Sequence, residues 1–141
     1  MGLDCGCGPG PAAAAMLREI GHEVVEYDPF FRPDRDALER RYDFILCSEA
    51  IEHFHSPADE FRRLDRLLAP GGWLGIMTCF QTDDEAFARW HYRRDPTHVA
   101  FYRETTLRLV AARFGWSCDV PVKDVALMRK SCRRSPAPGV A

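Results

Sequence analysis

The sequence predicts an open α/β fold built on a mostly parallel sheet with helices on both faces. Three observations carry that prediction. Apolar strand-like runs alternate with helix-like segments from the start of the chain to Gly115. Two of those runs, YDFILCS and GWLGIMTCF, are almost continuously apolar, as strands buried on both faces are. A glycine-rich bend, LDCGCGPG at 3–10, leads straight into a helix-forming stretch.

The elements follow in order. PAAAAMLREI (11–20) reads as a helix, with Pro11 suited to the first helical position, alanines favouring it and Gly21 stopping it. HEVVEYD (22–28) reads as a short strand ending at Asp28, and PFFRPDRDALERR as a loop with at most one helical turn. YDFILCS is a buried strand. SPADEFRRLDRLLAPGG reads as a capped helix, with Ser56 at the N-cap, Pro57 first, and Asp59 and Glu60 facing the positive end of the dipole. Its Phe61, Leu64, Leu67 and Leu68 form one stripe. GWLGIMTCF is a second buried strand, and DDEAFARWHYRR a short helix. TTLRLVAARFG is a helix burying Leu107, Val110, Ala111 and Phe114, closed by Gly115. WSCDVPV and DVALMRK pair as a closing antiparallel hairpin. A single domain over residues 1–130 is expected, with 131–141 a loose tail that has little to bury.

The bulk properties bound the function. The 141 residues suffice for one core, and 46% apolar with 28% charged residues is an ordinary globular balance. A net charge of −2 gives no electrostatic reason to expect a nucleic-acid or membrane partner. Six scattered cysteines without a signal peptide read as reduced thiols in a cytoplasmic protein. Cys5-x-Cys7 and His53-x-His55 are too closely spaced for a structural zinc site, so no metal is expected.

In such folds ligands bind outside the carboxyl ends of the strands, where the glycine bend, Asp28 and the segments after Cys47 and Cys79 all fall. Glycine permits tight left-handed turns and a close approach to the main chain. A dinucleotide loop would read G-x-G-x-x-G. Here Pro11 stands where the third glycine belongs and lacks the N–H that a phosphate would use. Asp4 would repel a pyrophosphate and attract a cationic ligand.

LDCGCGPG resembles the first motif of class I S-adenosylmethionine-dependent methyltransferases. YDP at 27–29 resembles their acidic residue after the second strand, YDFILCSEAIEHF their fourth-strand motif, and LLAPGGWLGIMT their proline-glycine turn and fifth strand. WHYRRDPTHVAFY resembles a segment of a small bacterial subgroup. The motifs occur in the family's order over most of residues 2–116. The resemblance implies a Rossmann-like three-layer sandwich with S-adenosyl-L-methionine as cofactor and a small-molecule methyl acceptor.

It places Asp4 near the cofactor's amino group, Gly6 and Gly8 under its methionine part, and Asp28 on the ribose hydroxyls. Pro29 and Phe30 would cover the adenine, and Ser48 and Glu49 lie beside the methionine part. Asp28 also suits a plain turn-forming Asp-Pro. The acceptor-facing segment would be ARWHYRRDPTHVAFY, with Trp90, Tyr92, Phe101 and Tyr102 as walls and His98 as the base candidate, unless its role is to fix the loop. His53 either faces the reaction centre or ties its loop to a carbonyl.

Two departures qualify this expectation. Asp28 to Asp43 spans fifteen positions, where a helix and strand take about twenty-five to thirty. The third strand is therefore missing or vestigial, and Asp34 or Asp36 would have to substitute at the adenine. Met1 and Gly2 stand where the family has an apolar run, so the first strand reads as shortened and self-association as possible. The competing reading is a non-catalytic module of the same fold that holds cofactor or a partner; a nicotinamide oxidoreductase is disfavoured by Pro11 and Asp4.

Overall fold

The computed structural model describes residues 1–132; the expected tail from 133 onward lies outside the described residues. Six strands form one sheet: β1 (Gly2–Cys5), β2 (Val24–Tyr27), β3 (Tyr42–Ser48), β4 (Leu68–Met77), β5 (Trp116–Val122) and β6 (Val125–Lys130). Their spatial order is β2-β1-β3-β4-β6-β5. The first four are parallel, and β6 runs antiparallel to both β4 and β5. The predicted closing hairpin is thus present. β1 is short but central, paired on both sides.

Residues between β2 and β3 contain no strand. Asp28 and Arg32 pair across a tight turn, and a single 3-10 turn spans Arg35–Glu39. The buried Tyr42 hydroxyl donates to the Ala37 carbonyl and pins that turn to β3. Fifteen residues cannot supply a crossover helix and a strand, so β2 forms one margin of the sheet.

Four α-helices connect the strands: α1 (Ala12–Glu19), α2 (Pro57–Leu67), α3 (Asp84–Arg89) and α4 (Glu104–Phe114). Their ends depart from expectation in three places. Pro11 is the N-cap of α1 rather than its first helical residue. The Ser56 hydroxyl makes no capping bond to α2, although its carbonyl accepts from Asp59 and Glu60. α3 is a short helix capped by Asp83, and Trp90 breaks it before a separate 3-10 turn over His91–Arg94. α4 ends as expected, with Gly115 in the left-handed region at φ 69°. β4 starts four residues earlier than predicted because fully buried Leu68 pairs with Tyr42, and an irregularity between Tyr42 and Phe44 absorbs Pro70–Gly72.

Strand alternation sorts the two faces. Leu3, Cys5, Ile45, Cys47, Leu74, Ile76, Ala126 and Met128 point to one side. There they form the core with Phe61, Leu64 and Leu67 of α2 and Leu107 and Ala111 of α4. Each buried Leu, Ile, Met or Phe side chain among them contributes roughly 1.5–3 kcal/mol. On the other side α1 covers the β1 and β2 end of the sheet, where Ala14 and Val24 are buried. Beyond it an open apolar groove of about 380 Å³ runs over Phe44, Leu46, Trp73, Gly75 and Leu127. Trp73 and Leu127 there stay 45% and 37% exposed. No helix among the described residues is long and apolar enough to cross a membrane.

Candidate functional site

The carboxyl ends of β1, β2, β3 and β4 bring the expected residues to one edge. The glycine bend begins as β1 ends. Gly6 and Cys7 both donate to the Tyr27 carbonyl, at 2.8 and 3.3 Å, which ties the bend to the end of β2. Gly6 and Gly8 adopt φ of 81° and 64°, backbone that side chains rarely tolerate. A Cβ on Gly6 would lie 2.6 Å from the Ala50 Cβ, whereas at Gly8 and Gly10 nothing lies within 4 Å. The bend is wedged at its first glycine and open at the next two.

Two aspartates flank it. Asp4 is 3% exposed. Burial pushes its carboxyl above the usual range, and a hydrogen bond from the Ala14 backbone at the start of α1 partly offsets that. Asp28 faces the bend, its Oδ2 accepting from the Gly8 N–H at 3.1 Å. Its Oδ1 accepts from Phe30 and Phe31 N–H at 2.8 and 3.0 Å. The turn-forming role weighed for Asp28 is therefore present, and it leaves Oδ2 as the oxygen with spare acceptor capacity. Phe30 is 86% exposed and Pro29 also lies at the surface. Asp34 caps the following 3-10 turn through Asp36 N–H. Cys7, in the bend, has its thiol pushed up to about 11 by burial and by the charges of Asp4 and Asp28, so it stays protonated near neutral pH.

After β3 the chain turns sharply. Ser48 is half-buried, and Glu49 adopts φ 48°, a strained conformation for a non-glycine residue. Glu52 follows on a 3-10 turn and is completely buried. Its Oε2 accepts from the Thr78 hydroxyl at 2.9 Å. Thr78, at the end of β4, also lies 3.2 Å from the Tyr92 hydroxyl, which donates to Glu49 Oε2 at 3.0 Å. Burial raises the Glu49 carboxyl; the Tyr92 bond lowers it and neighbouring Glu52 raises it again. Burial, with Glu52 next, pushes the Tyr92 phenol far above its ordinary value.

The acceptor-facing segment divides. Trp90, Tyr92 and Phe101 pack as an aromatic cluster with Phe87, and Tyr92 carries it to the carboxylates. Tyr102 does not join them. It is 5% exposed in the core, edge-on to Phe61, and its hydroxyl donates to the Ile51 carbonyl, because Ala100 N–H is already held by the Glu52 carbonyl and turns the chain inward. His98 packs on the Tyr92 ring at 4.1 Å and on His53 at 4.9 Å. His53 does tie its loop to a carbonyl, that of Thr97, yet its ring also borders Glu52.

Thr78 went unnoticed in the sequence because a threonine inside an apolar run reads as strand filling. Thr78→Val is expected to strip a buried carboxylate of a hydrogen bond and cost about 1–3 kcal/mol in urea denaturation. A change near zero would show that Glu52 finds another donor.

Comparison with known proteins extends this geometry. A family model described as a methyltransferase domain matches residues 2–119. A ubiquinone biosynthesis O-methyltransferase of Serratia proteamaculans is 32% identical over 77 residues, which are 55% of this chain and 32% of that one. The chain thus spans about a third of that relative's length. An O-methyltransferase family protein from Burkholderia thailandensis superposes with a TM-score of 0.67 at 16% identity, over 92% of this chain and 50% of that one. A second Burkholderia thailandensis protein, 1,6-didemethyltoxoflavin-N1-methyltransferase with bound 1,6-didemethyltoxoflavin and S-adenosylhomocysteine, gives 0.62 at 20% identity, over 92% and 70%. At these identities the solved structures establish the shared Rossmann-like fold.

Proposed function

The chain belongs to the methyltransferase-domain family, and from that membership we propose that it transfers a methyl group from S-adenosyl-L-methionine to a small-molecule acceptor. The observation that carries this reading is the open bend at Gly8 and Gly10, flanked by buried Asp4 and Asp28. An amino-acid-bearing sulfonium is cationic and fits two carboxylates; a diphosphate does not. Gly6 and Gly8 leave the main chain bare for the methionine part, with Ser48 and Glu49 beside it. Asp28 Oδ2, which accepts from Gly8 N–H, takes a ribose hydroxyl in this reading, and exposed Pro29 and Phe30 cover the adenine. A small-molecule acceptor agrees with the relatives named for ubiquinone biosynthesis and for 1,6-didemethyltoxoflavin.

The sulfonium is already activated. Acceptor attack forms the new bond to the methyl carbon, and the carbon–sulfur pair stays on sulfur as a neutral thioether. The protein's work is in-line positioning, for which the Trp90, Tyr92 and Phe101 cluster forms the wall. Calorimetric titration with S-adenosylhomocysteine tests the reading. Saturable binding supports it, and absence of binding to the folded protein removes it. Methyl release with candidate acceptors then separates an enzyme from a binding module.

Asp4 supplies a pH-dependent check. A carboxyl raised in the folded state favours folding fully below its unfolded value, about 4. That contribution is lost as pH rises through the folded value. Above that folded value the buried Asp4 carboxylate is therefore a liability for the ligand-free fold. Asp4→Asn is expected to raise the neutral-pH Tm, give no gain well below pH ~4, and weaken S-adenosylhomocysteine binding about 10–100-fold. Unchanged affinity would remove Asp4 from the cofactor site.

A further inference from the structure

One buried side-chain polar atom among the described residues has no hydrogen-bond partner: Oε1 of Glu52. The residue is fully buried, and this oxygen lies 4.0 Å from His53 Nε2. The ligand atoms of Glu52, His53 and His98 all lie within 4.8 Å of one another. Two segments, the Ile51–His53 turn and the stretch that carries His98, thus meet at one point.

The two rings are fixed in a telling way. His53 Nδ1 is 3.0 Å from the Thr97 carbonyl oxygen, and His98 Nδ1 is 2.7 Å from that of Tyr92. A carbonyl only accepts, so each Nδ1 carries the hydrogen and each neutral ring presents a bare lone pair at Nε2. The His53 Nε2 lone pair faces the equally bare Glu52 Oε1, and His98 Nε2 lies 3.9 Å from Oδ2 of half-exposed Asp95. Acceptors converging without a donor repel unless a proton or a metal ion lies among them. A carbonyl behind each imidazole is also the arrangement that orients and strengthens metal-ligating histidines. Glu49, against Glu52, adds negative charge.

We infer that Glu52, His53 and His98 bind one divalent first-row transition-metal ion, whose open positions take a hydroxyl oxygen of the methyl acceptor. Two nitrogen donors disfavour magnesium and calcium, which take oxygen. Three protein ligands leave positions free, as sites that bind substrate do. Metal–ligand bonds of about 2.0–2.2 Å require the three atoms to draw together by roughly 1 Å. The His53 side chain is 41% exposed, which opens the site to solvent. His53-x-His55 spacing hides this cluster in the sequence, because the second histidine comes from the segment after α3.

The inference rests on the methyl-transfer reading for its acceptor half and narrows it to O-methylation. A hydroxyl on the cation loses its proton to water more readily. Its oxygen then bonds the methyl carbon as the carbon–sulfur bond breaks, the pair remaining on sulfur. The His98 lone pair serves as a ligand in this scheme rather than as the base suggested by the sequence.

The test uses the full chain freed of metal by chelation and titrated with Co2+, followed by its visible absorption, and with Zn2+ by calorimetry. One equivalent is expected, without a thiolate-to-cobalt charge-transfer band. His53→Ala and His98→Ala, checked for folding by circular dichroism, should each weaken binding beyond the roughly 10–100-fold that loss of an outer-shell partner costs. No binding by the folded native chain, unchanged binding in both variants, or a thiolate band marking cysteine capture would overturn the site. S-adenosylhomocysteine is titrated separately in chelator. If it binds while Co2+ does not, the metal site falls and the cofactor reading stands. If Co2+ binds at the histidines while S-adenosylhomocysteine does not bind, the metal site stands and the cofactor reading falls.

Discussion

Gly6→Ala is expected to destabilise the protein by about 2–4 kcal/mol and to lower Tm by roughly 10 °C. Two effects add. The residue sits at φ 81°, which costs an L-residue about 1–2 kcal/mol. Its new methyl would also lie 2.6 Å from the Ala50 Cβ. Ala50 cannot give way easily, since it is 5% exposed and starts the turn that carries Glu52. The clash therefore pushes apart the ends of β1 and β3, the two walls of the proposed cofactor seat. Gly8 supplies the contrast. A side chain there meets no protein atom within 4 Å, so Gly8→Val strains the backbone alone and should lose S-adenosylhomocysteine binding with the smaller loss of stability. Thermal melts of both variants, with and without S-adenosylhomocysteine, separate the two glycines. Equal stability losses would mean the bend relaxes as a unit and that the wedge at Ala50 is unimportant.

Asp28→Ala is expected to cost about 2–4 kcal/mol of stability and to weaken S-adenosylhomocysteine binding about 10–100-fold. Its carboxylate accepts three backbone N–H groups, from Gly8, Phe30 and Phe31. Removing it leaves three part-buried donors dependent on water and opens a gap where Asp28, 7% exposed, was packed. The ribose contribution is separable. Asp28→Asn keeps an oxygen for Phe30 and Phe31 but turns an amide toward Gly8, so the turn survives and the contact to the bend does not. Denaturation should place Asn between wild type and Ala, whereas calorimetry should find affinity nearly as poor as for Ala. Native affinity in the Asn variant would confine Asp28 to its turn.

Much of this architecture was readable before any coordinates. The uninterrupted apolar runs of β3 and β4 identified central strands, and Gly115 marked the end of α4, because those signals act locally. The missing strand between β2 and β3 followed from chain length alone. Ser56 misled because a good capping residue still needs the rotamer, and here its backbone carbonyl does the work. Tyr102 misled for another reason. Aromatic density predicts a cluster but not its direction, and the hydrogen bonds of Val99 and Ala100 to the Glu52 carbonyl decide which rings turn inward. The link from Thr78 to Glu52 spans 26 positions, and that from His53 to the His98 segment is longer still. Such contacts are written in the packing of the sheet rather than in any local pattern.

The position of β2 has a consequence for how copies of the chain behave together. A marginal strand offers unpaired amides to any neighbour in solution, the usual seed of intermolecular ribbons. Here Arg18 places its guanidinium on the Val24 carbonyl and on Glu26 Oε1, and Arg32 pairs with Glu26 Oε2. The returning 28–32 turn closes the far end of the strand. Two cations and a fold-back thus guard four residues, and crowding the protein should not zip one molecule's flank onto the next.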